Sequence, residues 1–280
     1  MLAVRPGGFY VDGTVGLGGH AAAILEAGAP GARLLGLDKD NETLERARET
    51  LAPFGDRADL QQSDFREIPA RLGGARADGI VLDLGVSSVQ LDTAERGFSF
   101  QQDGPLDMRM DRSGGETAAD LVNEMDEEGL ANVIYSFGED RRSRHIARAI
   151  VSARQKHRIE TTSELAAIVR RASGRPAWKP GIDSATRTFQ ALRIAVNGEL
   201  EALSDTIRAL AACLAPNGRL AVIAFHSLED REVKHTFRAL GREGYEVLAK
   251  RPIRPGDAES ARNPRSRSAR LRGLRREEAA

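Results

Sequence analysis

The chain has 280 residues, 41% hydrophobic and 29% charged, with 41 Lys and Arg balanced by 41 Asp and Glu. That is the composition of a soluble globular protein with apolar residues enough for one large or two small domains. Apolar runs such as Leu220 to Phe225 fall far short of the roughly 18 residues that a helical membrane span requires, and Met1 to Gly8 carry no signal-peptide core. A cytoplasmic protein is expected. One cysteine, Cys213, excludes an internal disulfide framework and a multi-cysteine metal site, and it reads as a small buried residue.

Phe9–Asp12 reads as a strand, Gly13 to Gly19 as a glycine-rich turn, and His20 to Glu26 as a helix, the opening of a nucleotide-binding βαβ unit. A second strand at Leu34–Asp38, a helix at Asn41–Leu51, a weak third strand near Leu60–Gln62 and a fourth at Gly79–Asp83 follow. Strands alternating with helices predict a Rossmann-like, mostly parallel α/β sheet. Leu84 to Gly115 then has loop composition, and loops of that length in a compact domain are usually functional or disordered. Thr117 to Arg171 reads as several amphipathic helices, an inserted all-helical subdomain, with Gly174 to Gly181 as the connector back.

From Arg187, the apolar positions Phe189, Leu192, Val196, Leu200, Leu203, Ile207, Leu210 and Leu214 step by three and four. They predict one long helix over a sheet face, ending at Pro216-Asn217-Gly218. A central strand at Arg219–Phe225, a helix at Glu229–Leu240 and a last strand at Tyr245–Ala249 complete the pattern. The expected division is a split α/β domain over 1–108 and 186–252, the helical insert over 109–185, and a basic tail over 253–280. From Lys250 to Arg276 there are ten basic residues and two acids, which points to a polyanionic partner and a mobile or binding-ordered segment.

The glycine spacing after Asp12 is G-x-x-G-x-G-G, not the G-x-G-x-x-G that sets a pyrophosphate on a helix N-terminus, so NAD is disfavoured. Gly16, Gly18 and Gly19 let backbone approach a ligand closely, and Asp12 can engage an ammonium or order the loop. That suits S-adenosylmethionine, which is cationic and free of phosphate. Asp38, at the end of the second strand, sits where a carboxylate accepts ribose hydroxyls, and Asp64-Phe65 can bracket the adenine.

Tyr10-Val11-Asp12-Gly13-Thr14-Val15-Gly16-Leu17-Gly18-Gly19-His20 resembles the first motif of the bacterial 16S rRNA cytosine-N4 methyltransferases, the MraW-type enzymes. Asp83 to Asp92, Arg96 to Phe100, Gly104 to Met110, Ala185 to Ile194, Phe225 to Arg231 and Asn263 to Ser268 match further family blocks in order. The resemblance implies a class I S-adenosylmethionine-dependent methyltransferase with cofactor contacts at Gly18, Gly19, His20, Asp38, Phe65, Asp83 and Gln90. It implies a P-site cytosine of the small ribosomal subunit as substrate. In this sequence Asp183-Ser184 stand where the family often has His-Pro, and the family's preceding His-x-Pro-Val segment is not seen.

Methyl transfer from a sulfonium is an in-line displacement, so positioning and desolvation carry most of the acceleration. The catalytic candidates are Asp83, placed at the methyl donor and target amine, Asp107 with Arg109 as a grip on the base or its phosphate, and His226 as a base-positioning residue. Ser227 is the competing role for that segment, as a helix cap. His145, His157 and His235 read as helical without a second ligand one turn on, so no metal is expected. Arg141, Arg142, Arg144 and Arg148 form a basic stripe suited to RNA phosphates, against the alternative of a merely solvated face. No membrane or DNA partner is expected, and a homodimer is left open. A nucleotide-dependent dehydrogenase and a non-catalytic ribosome-assembly binder are the rival readings.

Overall fold

A computed structural model of the chain describes residues 1–174 and 183–278. The chain opens with β1 (Phe9–Asp12), α1 (Gly19–Ala27), β2 (Arg33–Asp38), α2 (Asn41–Leu51), β3 (Ala58–Gln62), α3 (Ile68–Leu72) and β4 (Ala77–Asp83). It continues through α4 (Ser88–Asp92), α5 (Ala118–Glu124), α6 (Glu127–Gly138), α7 (Ser143–Arg154), α8 (Thr162–Ser173) and α9 (Ala185–Asn197). It closes with α10 (Leu203–Ala212), β5 (Leu214–Ala224), α11 (Ser227–Leu240), β6 (Tyr245–Val247), α12 (Asp257–Arg262) and β7 (Arg270–Arg276). Two compact units result, Met1–Gly85 with Leu200–Ala280, and Val86–Glu199. Among the described residues no helix is long and apolar enough to cross a membrane.

The first unit is built on a seven-stranded sheet in the order β3-β2-β1-β4-β5-β7-β6. Strands β1 to β5 pair in parallel, and β7 runs antiparallel to β5 and β6. The apolar runs Leu34-Leu35 and Ile80-Val81-Leu82 show no polar alternation because helices cover both faces. On one face Leu35, Leu37, Ile80 and Leu82 pack with Ile207 and Leu210 of α10 and Phe237 of α11. On the other, Tyr10, Leu34 and Val81 pack with Ile24 and Leu25 of α1 and Leu44 of α2. Asp40 starts α2 by accepting the Glu42 and Thr43 amides, which satisfies donors that a helix N-terminus otherwise leaves open.

The second unit has its own core, in which Leu106 and Met108 join Val122, Leu130, Ile146 and Phe189. The 84–115 segment is therefore anchored in this core at Phe98, Leu106 and Met108, while 101–103 and 112–115 are exposed. Gly97 is at φ +71°, and a Cβ there would run into the Pro105 carbonyl and the Asp107 amide, so the Arg96 and Gly104 motifs meet backbone to backbone. Buried Arg96 donates to the carbonyls of Arg109 and Met110 at 2.9 and 3.0 Å. Asn197, at the end of α9, accepts the Met110 amide and donates to the Met108 carbonyl, both at 2.8 Å.

Four expectations need correction. The long helix from Arg187 is two helices: Gly198 (φ 59°) ends α9, and Ala202 (φ 52°) precedes α10. The three-four stepping runs through because α9 buries Phe189 and Leu192 in the helical core while α10 buries Ile207 and Leu210 beneath the sheet, so one period serves two cores. The 253–280 segment is not a tail but carries α12 and the strand β7. Its arginines disguised it: Arg272 is 6% exposed and donates to both oxygens of Asp230 at 2.8 and 3.2 Å. His157 lies in a bend after α7 rather than on a helix. Finally, the contacts divide the chain at 85/86 and 199/200 rather than at 109 and 185, since Phe98, Leu106, Met108 and α9 bury their side chains in the helical core. The expected connector falls, beyond Gly174, outside the described residues.

Candidate functional site

Three carboxylates stand at the C-terminal ends of adjacent parallel strands: Asp38 on β2, Asp12 on β1 and Asp83 on β4. Successive connections diverge to either side of β1, and in open α/β sheets such a switch point is where ligands bind. Asp12 is 1% exposed; its Oδ1 accepts the Thr14 amide at 3.2 Å, and its Oδ2 is buried with no donor. Burial pushes this carboxyl up to about 7, offset in part by the Thr14 N–H and reinforced by the charges of Asp83 and Asp38. Burial likewise pushes Asp83 up to about 6, with His20 lowering and Glu229 raising it. Asp83 Oδ1 is also buried without a donor, and Oδ2 lies 3.8 Å from Nδ1 of the half-exposed His20.

The loop between β1 and α1 is held from both sides. The Asp83 amide donates to Thr14 Oγ1 at 2.6 Å, and Asp38 accepts the Gly16 amide at 2.9 Å while its other oxygen accepts Asp40 at 2.9 Å. Asp38 thus orders the glycine loop. Gly18 caps α1 at φ +86°, a conformation that favours glycine, and a Cβ on Gly19 would meet only open space. No acidic residue occupies the first turn of α1, and no side chain caps it. Phe65 is half-buried against the sheet core. Asp64 beside it is desolvated but held below the ordinary carboxylate range by Arg66, at 2.7 Å, and Lys39, at 3.0 Å.

His226 is the N-cap of α11, the place expected for Ser227: its Nδ1 accepts the Glu229 amide at 3.3 Å. Glu229 Oε2 reciprocates on the amides of Phe225 and His226 at 2.9 and 3.2 Å, and Oε1 lies 3.1 Å from His226 Nε2. With Nδ1 accepting, the ring proton belongs on Nε2, which is buried and makes no hydrogen bond despite the short approach of Glu229. Thr14 and Glu229 are the residues sequence reasoning passed over. Glu229 had a signal, a glutamate three residues after a cap, hidden because the cap is a histidine.

In the second unit, Gln90 closes a capping box with Ser87 at the start of α4 and is buried. Asp107 is 7% exposed, and both its oxygens receive Arg109, Nε at 2.7 Å and Nη2 at 3.0 Å, with Arg112 at 3.4 Å. Its burial is outweighed by these partners, which hold its carboxyl below the ordinary range. Asp107 is thus the anchor of Arg109. The arginine stripe is not one helix face: Arg141 and Arg142 precede α7, Arg144 lies in its first turn, and Arg148 pairs with Glu127 at 3.4 Å.

Buried carboxylate oxygens without donors, beside an uncapped helix start and an open glycine cradle, suit a ligand that carries its own cation and carboxylate. S-adenosylmethionine has both, and the residues present fit it. This fold and this site define a class I S-adenosylmethionine-dependent methyltransferase. The chain belongs to the MraW methylase family, whose model matches residues 1–277. It is 54% identical to the Ribosomal RNA small subunit methyltransferase H of Gloeobacter violaceus, over 98% of this chain and 84% of that one. The protein of the same name from Sorangium cellulosum is 52% identical over 96% of this chain and 85% of its own length. An rRNA methylase structure from Streptococcus thermophilus is a distant likeness, 9% identical with TM-score 0.46 over 98% of this chain and 90% of that one, and carries no further argument.

Proposed function

We propose that the protein methylates the N4 amine of a P-site cytosine in small-subunit rRNA. The rRNA substrate is supported by the name shared by relatives at about half identity. The amine acceptor is supported by Asp83, a carboxylate raised to about 6 with one oxygen unpartnered, and this is the observation that carries the reading. A proton acceptor works best when its pKa lies near the working pH.

When bound, S-adenosylmethionine supplies a methyl group made electrophilic by the sulfonium. Asp12 Oδ2 receives the ammonium, and the open first turn of α1 at Gly18 and Gly19 receives the carboxylate. Asp38 accepts the ribose hydroxyls, Phe65 offers an apolar face to the adenine, and His20 borders the site beside Asp83. Asp83 accepts an N–H of the exocyclic amine, which draws the nitrogen lone pair out of ring conjugation, and holds the proton released on transfer. His226 acts as a positioning residue: its Nδ1 holds the backbone of Glu229, whose charge adds a minor share to the rise of Asp83 that burial causes. Because the acceptor base must leave its stack, the substrate is unpaired or distorted RNA.

The test is transfer of labelled methyl to small ribosomal subunits lacking the modification, with mass spectrometry of the digested nucleosides. N4-methylcytidine at one position is the expected product. A methyl on a ring carbon or ribose oxygen, or no transfer despite cofactor binding, overturns the reading.

A further inference from the structure

Within the helical unit, a cleft of about 790 Å³ opens between α6 and the start of α7. It is lined by Asn132 and Tyr135 of α6 and by Arg141, Arg142, Arg144 and His145. Tyr135 is a large aromatic that is 61% exposed, although its neighbours Leu130 and Ile134 on the same helix are fully buried. The α6 stripe therefore has its core contacts without it, and the ring is turned outward. Among the described residues no carboxylate pairs with the side chains of Arg141, Arg142 or Arg144. Asp140, the acid on the same turn, is engaged by the Arg142 backbone amide at 2.8 Å. The contrast with Arg148, Arg154 and Arg158 is direct: those have partners in Glu127, in the carbonyls of Val122 and Met125, and in Asp120.

An exposed aromatic face beside unpaired guanidinium groups is the equipment that single-stranded nucleic acid requires. The ring stacks a base whose paired partner is absent, and the forked donors take the phosphates on either side. Asn132 places an amide, both donor and acceptor, on the same wall, where it can read a base edge. The volume lies in the range of sites that enclose a small molecule, enough for one nucleotide. We propose that this cleft binds one unpaired ribonucleotide of the RNA substrate, base on Tyr135 and flanking phosphates on Arg141, Arg142 and Arg144. The identity of the polymer rests on the rRNA reading above. Among the described residues, those that line the cleft belong to the helical unit.

The experiment uses the full chain and a short single-stranded RNA, with affinity measured across a salt series. Tyr135→Ala should weaken binding about tenfold, while Tyr135→Phe, which keeps the ring, should bind like the parent. Arg141→Ala and Arg144→Ala should each lower the log–log salt slope by about 0.7, the share of a single phosphate. S-adenosylmethionine affinity and melting temperature should not move, since these side chains are exposed. Crosslinking of thiouridine-substituted RNA should label the peptide that holds Tyr135. Equal affinity and slope in all variants, equal weakening by Phe and Ala, or a crosslink elsewhere would overturn the proposal. The outcomes separate the two readings. If subunits gain N4-methylcytidine while the variants bind RNA normally, the cleft falls and the activity stands; if Tyr135 binds RNA and no N4-methylcytidine forms, the reverse holds.

Discussion

In the sheet unit, buried Asp12 and half-buried Asp83 each keep one buried oxygen that no donor reaches, whereas in the helical unit buried Asp107 carries Arg109 on both oxygens. Their pKa shifts follow, upward for the first pair and downward for Asp107, although all three are desolvated. Arginine shows the same division within one unit, since Arg193 is locked to Glu199 at 2.7 Å while Arg141, Arg142 and Arg144 meet no carboxylate among the described residues. A buried charge with its partner supplied is a structural joint. One without a partner costs stability and marks where a ligand must complete it.

The largest effect expected from breaking this pattern is on the fold itself. Truncation after Arg251 removes β7, which pairs with both β5 and β6, so the shortened chain should fail to fold cooperatively by circular dichroism and melting. A folded truncation that loses only RNA affinity would restore the tail reading. Asp107→Ala should cost about 1–3 kcal/mol in denaturant unfolding, because it strands Arg109 in a packed loop. An unchanged midpoint would place Asp107 among the groups awaiting a ligand instead.

Asp12→Asn should act in the opposite direction on stability. Both raised carboxyls hold protons in the folded state that the unfolded chain has already released, so ligand-free stability falls as pH rises from about 4 to about 7. Removing Asp12 from that titration should flatten the fall by up to one proton, and it should weaken S-adenosylmethionine about tenfold near pH 8, where the native carboxyl is ionised. Calorimetric titration at several pH values checks both. Arg148→Ala should shift stability by less than about 0.5 kcal/mol, since its pair with Glu127 is exposed on both sides.

The parallel strands and the glycine loop were legible because period, strand-terminal acids and turn residues all agree there. Asp12, Asp38 and Asp83 could be placed at strand ends for the same reason, and the structure brings them together. What stayed hidden was decided by partners far away in sequence. Arg272 reads as a solvated tail residue until Asp230 is seen across from it, and Asp107 and Arg109 read as a joint grip without showing that they also pair with each other. The break between α9 and α10 was invisible because a helical period reports burial and not which core does the burying. Gly198 was the local clue.

The central claim is that Asp83 takes the proton of the target amine, and its most direct test is single-turnover methyl transfer by Asp83→Asn on small subunits lacking the modification. The account predicts normal folding, cofactor affinity within a few-fold of the parent, and a rate lower by about a hundredfold or more. Transfer at the parent rate would contradict it and leave Asp83 as a support for the Thr14 loop through its backbone amide.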